Sequence, residues 1–266
     1  MNLSKYNLNK KFCLITGAAG LLGYEHARAI LEANGNVVLT DIDEKQLVNT
    51  KKKLLSKFKK SKILHFKMNV SNFNSINFVQ KSLEKKKIKI QILINNAAID
   101  SKVNKKSKFL KSFKFENFDL NDWNKEISVG LTGAMLCSRI FGSAMKQGGV
   151  ILNIASDLSV IAPNQSLYSN DVKPVTYSVI KHGLIGLTKY IATYWPNKNI
   201  RCNALSPGSV LNKQGKNFLS KIKKQIPMKR LADKSEYRSA VQFLCSDASS
   251  YMNGHNLIID GGRSIW

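Results

Sequence analysis

The sequence is short of acid, arginine, proline and paired cysteine, and each shortage excludes something. Seventeen Asp and Glu stand against 42 Lys and Arg, a formal charge of +25. Lysine outnumbers arginine 36 to 6. Arginine is the residue suited to bidentate phosphate and base contacts, and the lysines are spread over stretches such as Glu44 to Lys60 and Ser71 to Lys87. The charge therefore reads as solvated surface, and no nucleic-acid partner is expected. Cys13, Cys137, Cys202 and Cys245 lie far apart with no C-x-x-C pair, which excludes a zinc or disulfide framework and points to reduced, mostly buried thiols. His26, His65, His182 and His255 lack metal-ligand spacing, so no metal site is expected. No apolar run approaches the roughly 18 residues of a membrane span. The segment Met1 to Lys11 is polar, so the protein is expected in the cytoplasm without a membrane partner. There is no linker rich in Pro, Gly or Ser and no internal repeat, so residues 1–266 are expected to form a single domain, with 43% hydrophobic content for its core.

What the chain does contain is a regular alternation of strand-like and helix-like segments. Strands are expected at Phe12 to Thr16, Asn36 to Thr40, Ile63 to Met68, Ile90 to Ile94, Gly149 to Ala155, Asn199 to Ala204 and Asn256 to Ile259. Helical stretches lie between them, among them one near Leu120 to Met145. This order argues for an α/β fold with a doubly wound parallel sheet. Two stretches interrupt it, Asp100 to Phe118 with many lysines and four phenylalanines, and Val160 to Lys173, polar and turn-rich. Both follow strand ends, where ligands bind in such sheets; they are the candidate substrate loops.

The first strand runs into Gly17-Ala-Ala-Gly20-Leu-Leu-Gly23 and an Ala-rich helix. Glycines let the backbone approach a pyrophosphate, and a helix N-terminus supplies free N–H groups and a positive dipole end. The second strand closes on Asp41, about 20 residues beyond the glycines, where a carboxylate accepts ribose hydroxyls and repels a 2′-phosphate. NAD is therefore preferred to NADP. Further on, Tyr177 and Lys181 stand four apart in a helical pattern marked by Val179, Ile180, Leu184, Ile185 and Leu187, so phenol and ammonium share one helix face. A nearby cation favours phenolate, and such a pair can move a proton on and off an alcohol.

Together these pieces resemble the short-chain dehydrogenase/reductase family, nearly from end to end. The resemblance rests on Thr16-Gly-Ala-Ala-Gly-Leu-Leu-Gly23, Asp41, Asn95-Asn-Ala-Ala98, Ser156 after Ile151-Leu-Asn-Ile-Ala, Tyr177-x-x-x-Lys181, Ser206-Pro-Gly208 and Asp260-Gly-Gly262. It implies a Rossmann fold and catalytic roles for Ser156, Tyr177 and Lys181. Tyr177 would be the general acid/base, Ser156 would hydrogen-bond the substrate oxygen, and Lys181 would hold the nicotinamide ribose. Cofactor contacts are implied at Gly17, Gly20, Leu22, Gly23, Asp41, Asn69, Val70, Asn96, Ala97, Lys181, Pro207, Gly208 and Val210. Family members also pair the Tyr177 helix with its copy in a second subunit, so a dimer or tetramer is expected, with Gly183, Gly186 and Thr188 permitting close approach.

Three features depart from the family pattern. Gly17, Gly20 and Gly23 follow G-x-x-G-x-x-G, a spacing commoner in the larger nucleotide-sugar branch. Val129-Gly130-Leu131-Thr132-Gly133 carries Gly130 where the family places an Asn that holds a relay water near Lys181. Ser156 and Tyr177 stand 21 positions apart, further than is usual. With the long Asp100 to Phe118 stretch and the ending Asp260-Gly-Gly-Arg-Ser-Ile-Trp266, the chain looks similar to a bacterial branch found with surface-glycan and unusual-sugar biosynthesis.

The implied function is an NAD(H)-dependent interconversion of a secondary alcohol and a ketone on a sugar, sugar phosphate or nucleotide-activated sugar. Lys102, Lys105, Lys106, Lys108, Lys111 and Lys114 would suit an anionic substrate, and equally form ordinary surface. Reduction of a 3-oxoacyl thioester is an alternative, and a non-catalytic NAD-binding protein is a second one, motivated by Gly130. Tyr168 and Asp171 are further candidates for substrate contact.

Overall fold

A computed structural model describes residues 3–99, 113–168 and 172–266. Among these are strands β1 (Phe12–Thr16), β2 (Asn36–Asp41), β3 (Ile63–Lys67), β4 (Ile92–Asn95), β5 (Gly149–Ile154), β6 (Ile200–Pro207) and β7 (Asn256–Ile259). They form one sheet in the order β3-β2-β1-β4-β5-β6-β7, parallel at every pairing. The order reverses between β1 and β4, so a ligand crevice opens there at the carboxyl ends of the strands.

The helices are α1 (Leu21–Glu32), α2 (Glu44–Leu55), α3 (Phe73–Lys85), α4 (Leu120–Ile127), α5 (Gly133–Cys137), α6 (Val175–Tyr194), α7 (Lys216–Lys224) and α8 (Arg238–Cys245). The expected helix near residues 120–145 is a run in which π-helical turns, Ser128–Thr132 and Ser138–Gly142, flank α5. Helix α7 has no counterpart among the sequence expectations. Its apolar Phe218, Leu219 and Ile222 are spaced among four lysines, and they pack with Leu167, Ile226 and Leu231. Side-chain carboxylate or amide oxygens start α2, α3 and α4. Asp43 accepts from Gln46 N, Asn72 from Ser75 N, and Asp119 from Asn121 N and Asp122 N.

Helices cover both faces of the sheet, which is why β1 and β2 read as unbroken apolar runs. Alternate side chains serve opposite cores. Cys13, Ile15, Val37 and Leu39 pack with α1 and α8, while Leu14, Val38 and Leu93 pack with α3 and with Phe141 and Ile191. All four cysteines are free and buried. No described helix is long and apolar enough to cross a membrane, and no described cluster of His, Cys, Asp or Glu could hold a metal ion.

The expectation that Gly183, Gly186 and Thr188 share an outward face needs correction. A Cβ on Gly183 would lie 2.9 Å from Leu131 Cδ2, whereas one on Gly186 would meet nothing within 4 Å. Thr188 is buried, its hydroxyl donating to Leu184 O and accepting from Asn153. At roughly 100° per residue these positions fan around the helix, and only Gly186 points outward.

Candidate active site

The first wall of the crevice is the turn after β1. Gly17 has φ +63°, and a Cβ there would sit 2.8 Å from Ala97 Cα. At Gly23 a Cβ would come within contact of Gly17 O and 2.8 Å from Ala18 Cα. Both glycines are therefore demanded by the packing of the turn itself. Gly20 differs: a Cβ there would meet only Gly17 O, at 3.3 Å, and Gly20 caps α1 without a side-chain hydrogen bond. The open side of the turn and the uncapped N–H groups of α1 are thus the part shaped for an anionic group.

Asp41, half-buried at the end of β2, leans over this turn. One oxygen accepts from Ala19 N at 3.0 Å and the other from Asp43 N at 3.1 Å. Asn96 Nδ2 donates to Thr16 O and Gly17 O, both at 3.0 Å, and Asn96 N and Ala97 N both donate to Thr16 Oγ1 at 3.0 Å. The Asn96 side chain is a strut for the glycine turn. Asn69 likewise accepts at Oδ1 from Ser71 N and Ser71 Oγ, at 3.0 and 2.7 Å. Val70 is buried against Gly133. Leu22 and Val210 are half-buried against the core on the α1 and α8 side of the sheet. Pro207 ends β6, and Gly208 passes so close to β7 that a Cβ would lie 2.6 Å from Asp260 Cα.

The second wall is built by β5 and α6. Lys181 is 6% exposed, and its Nζ donates to Ile154 O at 2.8 Å, two residues before Ser156. The same Nζ lies 5.6 Å from the centroid of the Tyr177 ring. Ser156 is buried and caps a 3₁₀ turn (Asp157–Ser159), accepting from Leu158 N at 3.2 Å and donating to Asp157 Oδ1 at 2.8 Å. Thr176, next to Tyr177, is buried and donates to the buried carboxylate of Glu126 on α4, which anchors the first turn of α6. Lys181 thus ties α6 to the end of β5, two residues before Ser156, with the Tyr177 ring beside its ammonium.

Gly130 lies in the π-helical turn before α5, and its missing side chain has been replaced by neighbours. A Cβ at Gly130 would lie 2.8 Å from Ile180 Cγ2 and 3.1 Å from its Cδ1. The volume an Asn would need is filled by Ile180, the residue before Lys181.

Of the candidate substrate loops, residues 100–112 and 169–171 lie outside the described residues, and with them Lys102, Lys105, Lys106, Lys108, Lys111 and Asp171. A cavity of about 840 Å³ opens beside the first turn of α6, lined by Phe113, Lys114, Phe115, Gln165, Lys173, Val175, Ser178 and neighbours. Tyr168 stacks at a tilt on Phe218, ring centroids 5.8 Å apart, so it packs on α7.

Sequence reasoning missed three features of this corner. Lys173 places its Nζ 3.8 Å from the centroid of the Tyr177 ring, a second cation beside the phenol. Asp157 receives both the Ser156 hydroxyl and, at 2.8 Å, Arg263 Nη1. A buried amide chain, Asn95 to Asn153 to Thr188, ties β4 and β5 to α6, with Asn95 also donating to Ser138. Arg263 was open to detection as one of only six arginines in a lysine-rich chain. Nothing in the sequence marks the role of Lys173.

Comparison with known proteins places this geometry among relatives. A family model described as enoyl-(acyl carrier protein) reductase matches residues 17–264. The chain is 32% identical to an NAD-dependent glycerol dehydrogenase of Listeria innocua, over 98% of this chain and 96% of the relative. It is 28% identical to a D-threitol dehydrogenase of Mycolicibacterium smegmatis, over 98% and 95% of the two. Among solved structures, a short-chain dehydrogenase from Leptospira borgpetersenii with bound NAD+ superimposes with a TM-score of 0.84 at 28% identity, covering 100% of this chain and 97% of the other.

Proposed function

The chain belongs to the short-chain dehydrogenase/reductase family, and on that premise we propose that it interconverts a secondary alcohol and a ketone on a small polyol or sugar, with NAD as cofactor. The observation that carries the proposal is Lys181 held at the end of β5 by its donation to Ile154 O, two residues before Ser156, with the Tyr177 ring 5.6 Å from its Nζ. Similarity to proteins named for glycerol and D-threitol supports the substrate class.

The open side of the glycine turn and the uncapped start of α1 fit the pyrophosphate of a dinucleotide. Gly20 and the start of α1 would hold the pyrophosphate, Asp41 the adenosine ribose and Lys181 the nicotinamide ribose. When bound, the nicotinamide supplies the acceptor or donor of hydride. The remaining work falls to the side chains. In oxidation, Tyr177 as phenolate takes the proton of the alcohol oxygen while the Ser156 hydroxyl donates a hydrogen bond to that oxygen and fixes its position. The ammonium groups of Lys181 and Lys173 favour the phenolate. Reduction is the reverse, with Tyr177 returning the proton.

Asp41 supports NAD over NADP, because a carboxylate at the end of the second strand accepts ribose hydroxyls and repels a 2′-phosphate. Self-association through α6 around Gly186, and a place in surface-glycan or unusual-sugar biosynthesis, belong to the same reading. The latter rests on the two lengthened loops together with the stretch Asp260-Gly-Gly-Arg-Ser-Ile-Trp266.

The test is NADH formation with glycerol, D-threitol and related polyols and sugars, for wild type and Tyr177→Phe. Turnover of polyols that Tyr177→Phe abolishes is the expected result. Activity only on 3-oxoacyl thioesters, or activity unchanged in Tyr177→Phe, would refute the proposal.

A further inference from the structure

Arg263 approaches the site from the far end of the chain. After β7 the backbone turns at Gly261 and Gly262, with φ of 69° and 88°. Asp260 fixes the turn by accepting from Gly262 N at 2.9 Å and Ser264 N at 2.7 Å. The turn directs Arg263 inward, where its Nη1 meets Asp157 Oδ2 at 2.8 Å with side chains only 6% and 4% exposed. The other Asp157 oxygen accepts from the Ser156 hydroxyl at 2.8 Å and from Leu158 N at 2.9 Å. Ser156, Asp157 and Arg263 form one continuous chain of hydrogen bonds.

We infer that the Asp157–Arg263 pair is a positioning device for Ser156, in which Arg263 weakens the hold of Asp157 on the Ser156 proton so that the hydroxyl can turn to a substrate oxygen. The inference rests on the proposed role of Ser156 as donor to that oxygen. A serine hydroxyl has one proton to give. While it points at Asp157 it is withheld from the substrate, and a carboxylate is a strong acceptor. A guanidinium on the second carboxylate oxygen draws charge away and makes the two acceptors comparable. Leu158 N, which reaches both Ser156 Oγ and Asp157 Oδ1, keeps the serine oxygen in place while its proton swings. A buried ion pair is weak as a source of stability, so its contact with the reacting hydroxyl, rather than its energy, is the informative feature.

Other charged and titratable groups face this chain from neighbouring elements. Tyr237, before α8, has its phenol pushed up chiefly by burial and further by Asp157, Glu236 and Asp260. Lys181 approaches from α6 through Ile154 O, and Arg263 Nη2 also touches Gln225 Oε1 at 3.4 Å.

The experiment compares wild type, Arg263→Met, Arg263→Gln, Arg263→Lys, Asp157→Asn and Asp157→Asn/Arg263→Met with D-threitol and NAD. It records kcat and KM, NAD affinity and the melting temperature. Arg263→Met should lower kcat/KM about tenfold, the scale of one hydrogen bond to a charged group, with NAD affinity unchanged. The loss should fall on kcat rather than on KM for D-threitol, the split expected when a hydrogen bond made in the transition state is withheld. Arg263→Lys keeps the charge and should stay within about threefold of wild type, and the neutral double variant should recover most of the loss. Arg263→Gln, which keeps a donor toward Asp157, carries the same expectation as Arg263→Met should the latter fail to fold. The inference is overturned if neutral variants at Arg263 lower the melting temperature while leaving kcat unchanged, or if the double variant is as impaired as the product of the singles. Ser156→Ala and Tyr177→Phe run alongside: activity surviving in either would sink the proposed function itself, whereas failure confined to the Arg263 series leaves it standing.

Discussion

Replacing Gly130 by alanine isolates the physics of the most unusual position in the site. In an open helix the change stabilises by about 1 kcal/mol, because glycine loses more backbone freedom on folding. Here the new methyl would lie 2.8 Å from Ile180 Cγ2 and 3.1 Å from Cδ1. Ile180 is 6% exposed and β-branched, so its side chain has little room to rotate away. Overpacking of this kind costs about 1–3 kcal/mol. The balance is a net loss of about 1 kcal/mol, or roughly 2–4 °C in melting temperature for a chain of this size. Asparagine, with three more heavy atoms, should cost more and should not improve turnover, because the relay volume is already occupied. Urea denaturation of Gly130→Ala, Ile180→Val and the double variant gives the coupling directly. Removal of the Ile180 Cδ1 methyl relieves only the 3.1 Å contact, so partial recovery of about 0.5 kcal/mol or more is expected. Gly130→Ala more stable than wild type by about 1 kcal/mol, with no coupling to Ile180, would refute the reasoning.

Further expectations rest on other parts of the molecule. His26 is fully buried, and burial lowers its pKa to about 4 against a weak opposing influence of Asn96. The unfolded chain therefore binds the proton first, and stability should fall as pH drops from about 6.5 toward 4, with a slope of up to about 1.4 kcal/mol per pH unit. Denaturation midpoints across that range, flattened in His26→Leu, would check this; an equal slope in the variant would contradict it. Burial pushes the thiols of Cys137, Cys202 and Cys245 up to about 12. A thiol-reactive dye should label none of the four cysteines in the native protein and all four in denaturant. Asp41→Ser should raise KM for NAD about tenfold, the worth of one charged hydrogen bond, and narrow the preference against NADP; steady-state kinetics with both cofactors measures it. Gly186→Arg should dissociate any assembly that uses the outer face of α6, as read by light scattering, and an unchanged oligomer would exclude that face.

The alternation of strands and helices was legible because parallel strands covered on both faces are forced to be apolar in their middles, as in Phe12–Ile15 and Val37–Leu39. The glycine turn and Asp41 were legible for a similar reason, since local geometry fixes the residue type. Helix α7 was hidden by its lysines, and the π-helical turns around α5 by a helical period that does not reveal local unwinding. Arg263 escaped notice because its partner is 106 residues distant along the chain, and no local pattern encodes such a pairing. The six arginines nevertheless share a logic visible only in three dimensions. Arg28 and Arg238 meet Glu25 and Glu32, Arg230 meets Glu236, Arg263 meets Asp157, Arg201 donates to backbone carbonyls, and Arg139 lies over Phe73. Each of the six arginines meets a carboxylate, a carbonyl or a ring, whether buried as Arg263 or exposed as Arg230 and Arg139. Asn96, singled out for the cofactor, also braces the turn that would receive it, a second task that the sequence does not reveal.

The most direct test of the account is label transfer from a polyol. D-threitol deuterated at the carbinol carbon is incubated with NAD and protein, and the nicotinamide is examined by proton NMR. The account predicts deuterium on the reduced nicotinamide with wild type and none with Tyr177→Phe. Formation of a ketone without deuterium transfer, or transfer undiminished in Tyr177→Phe, would contradict it.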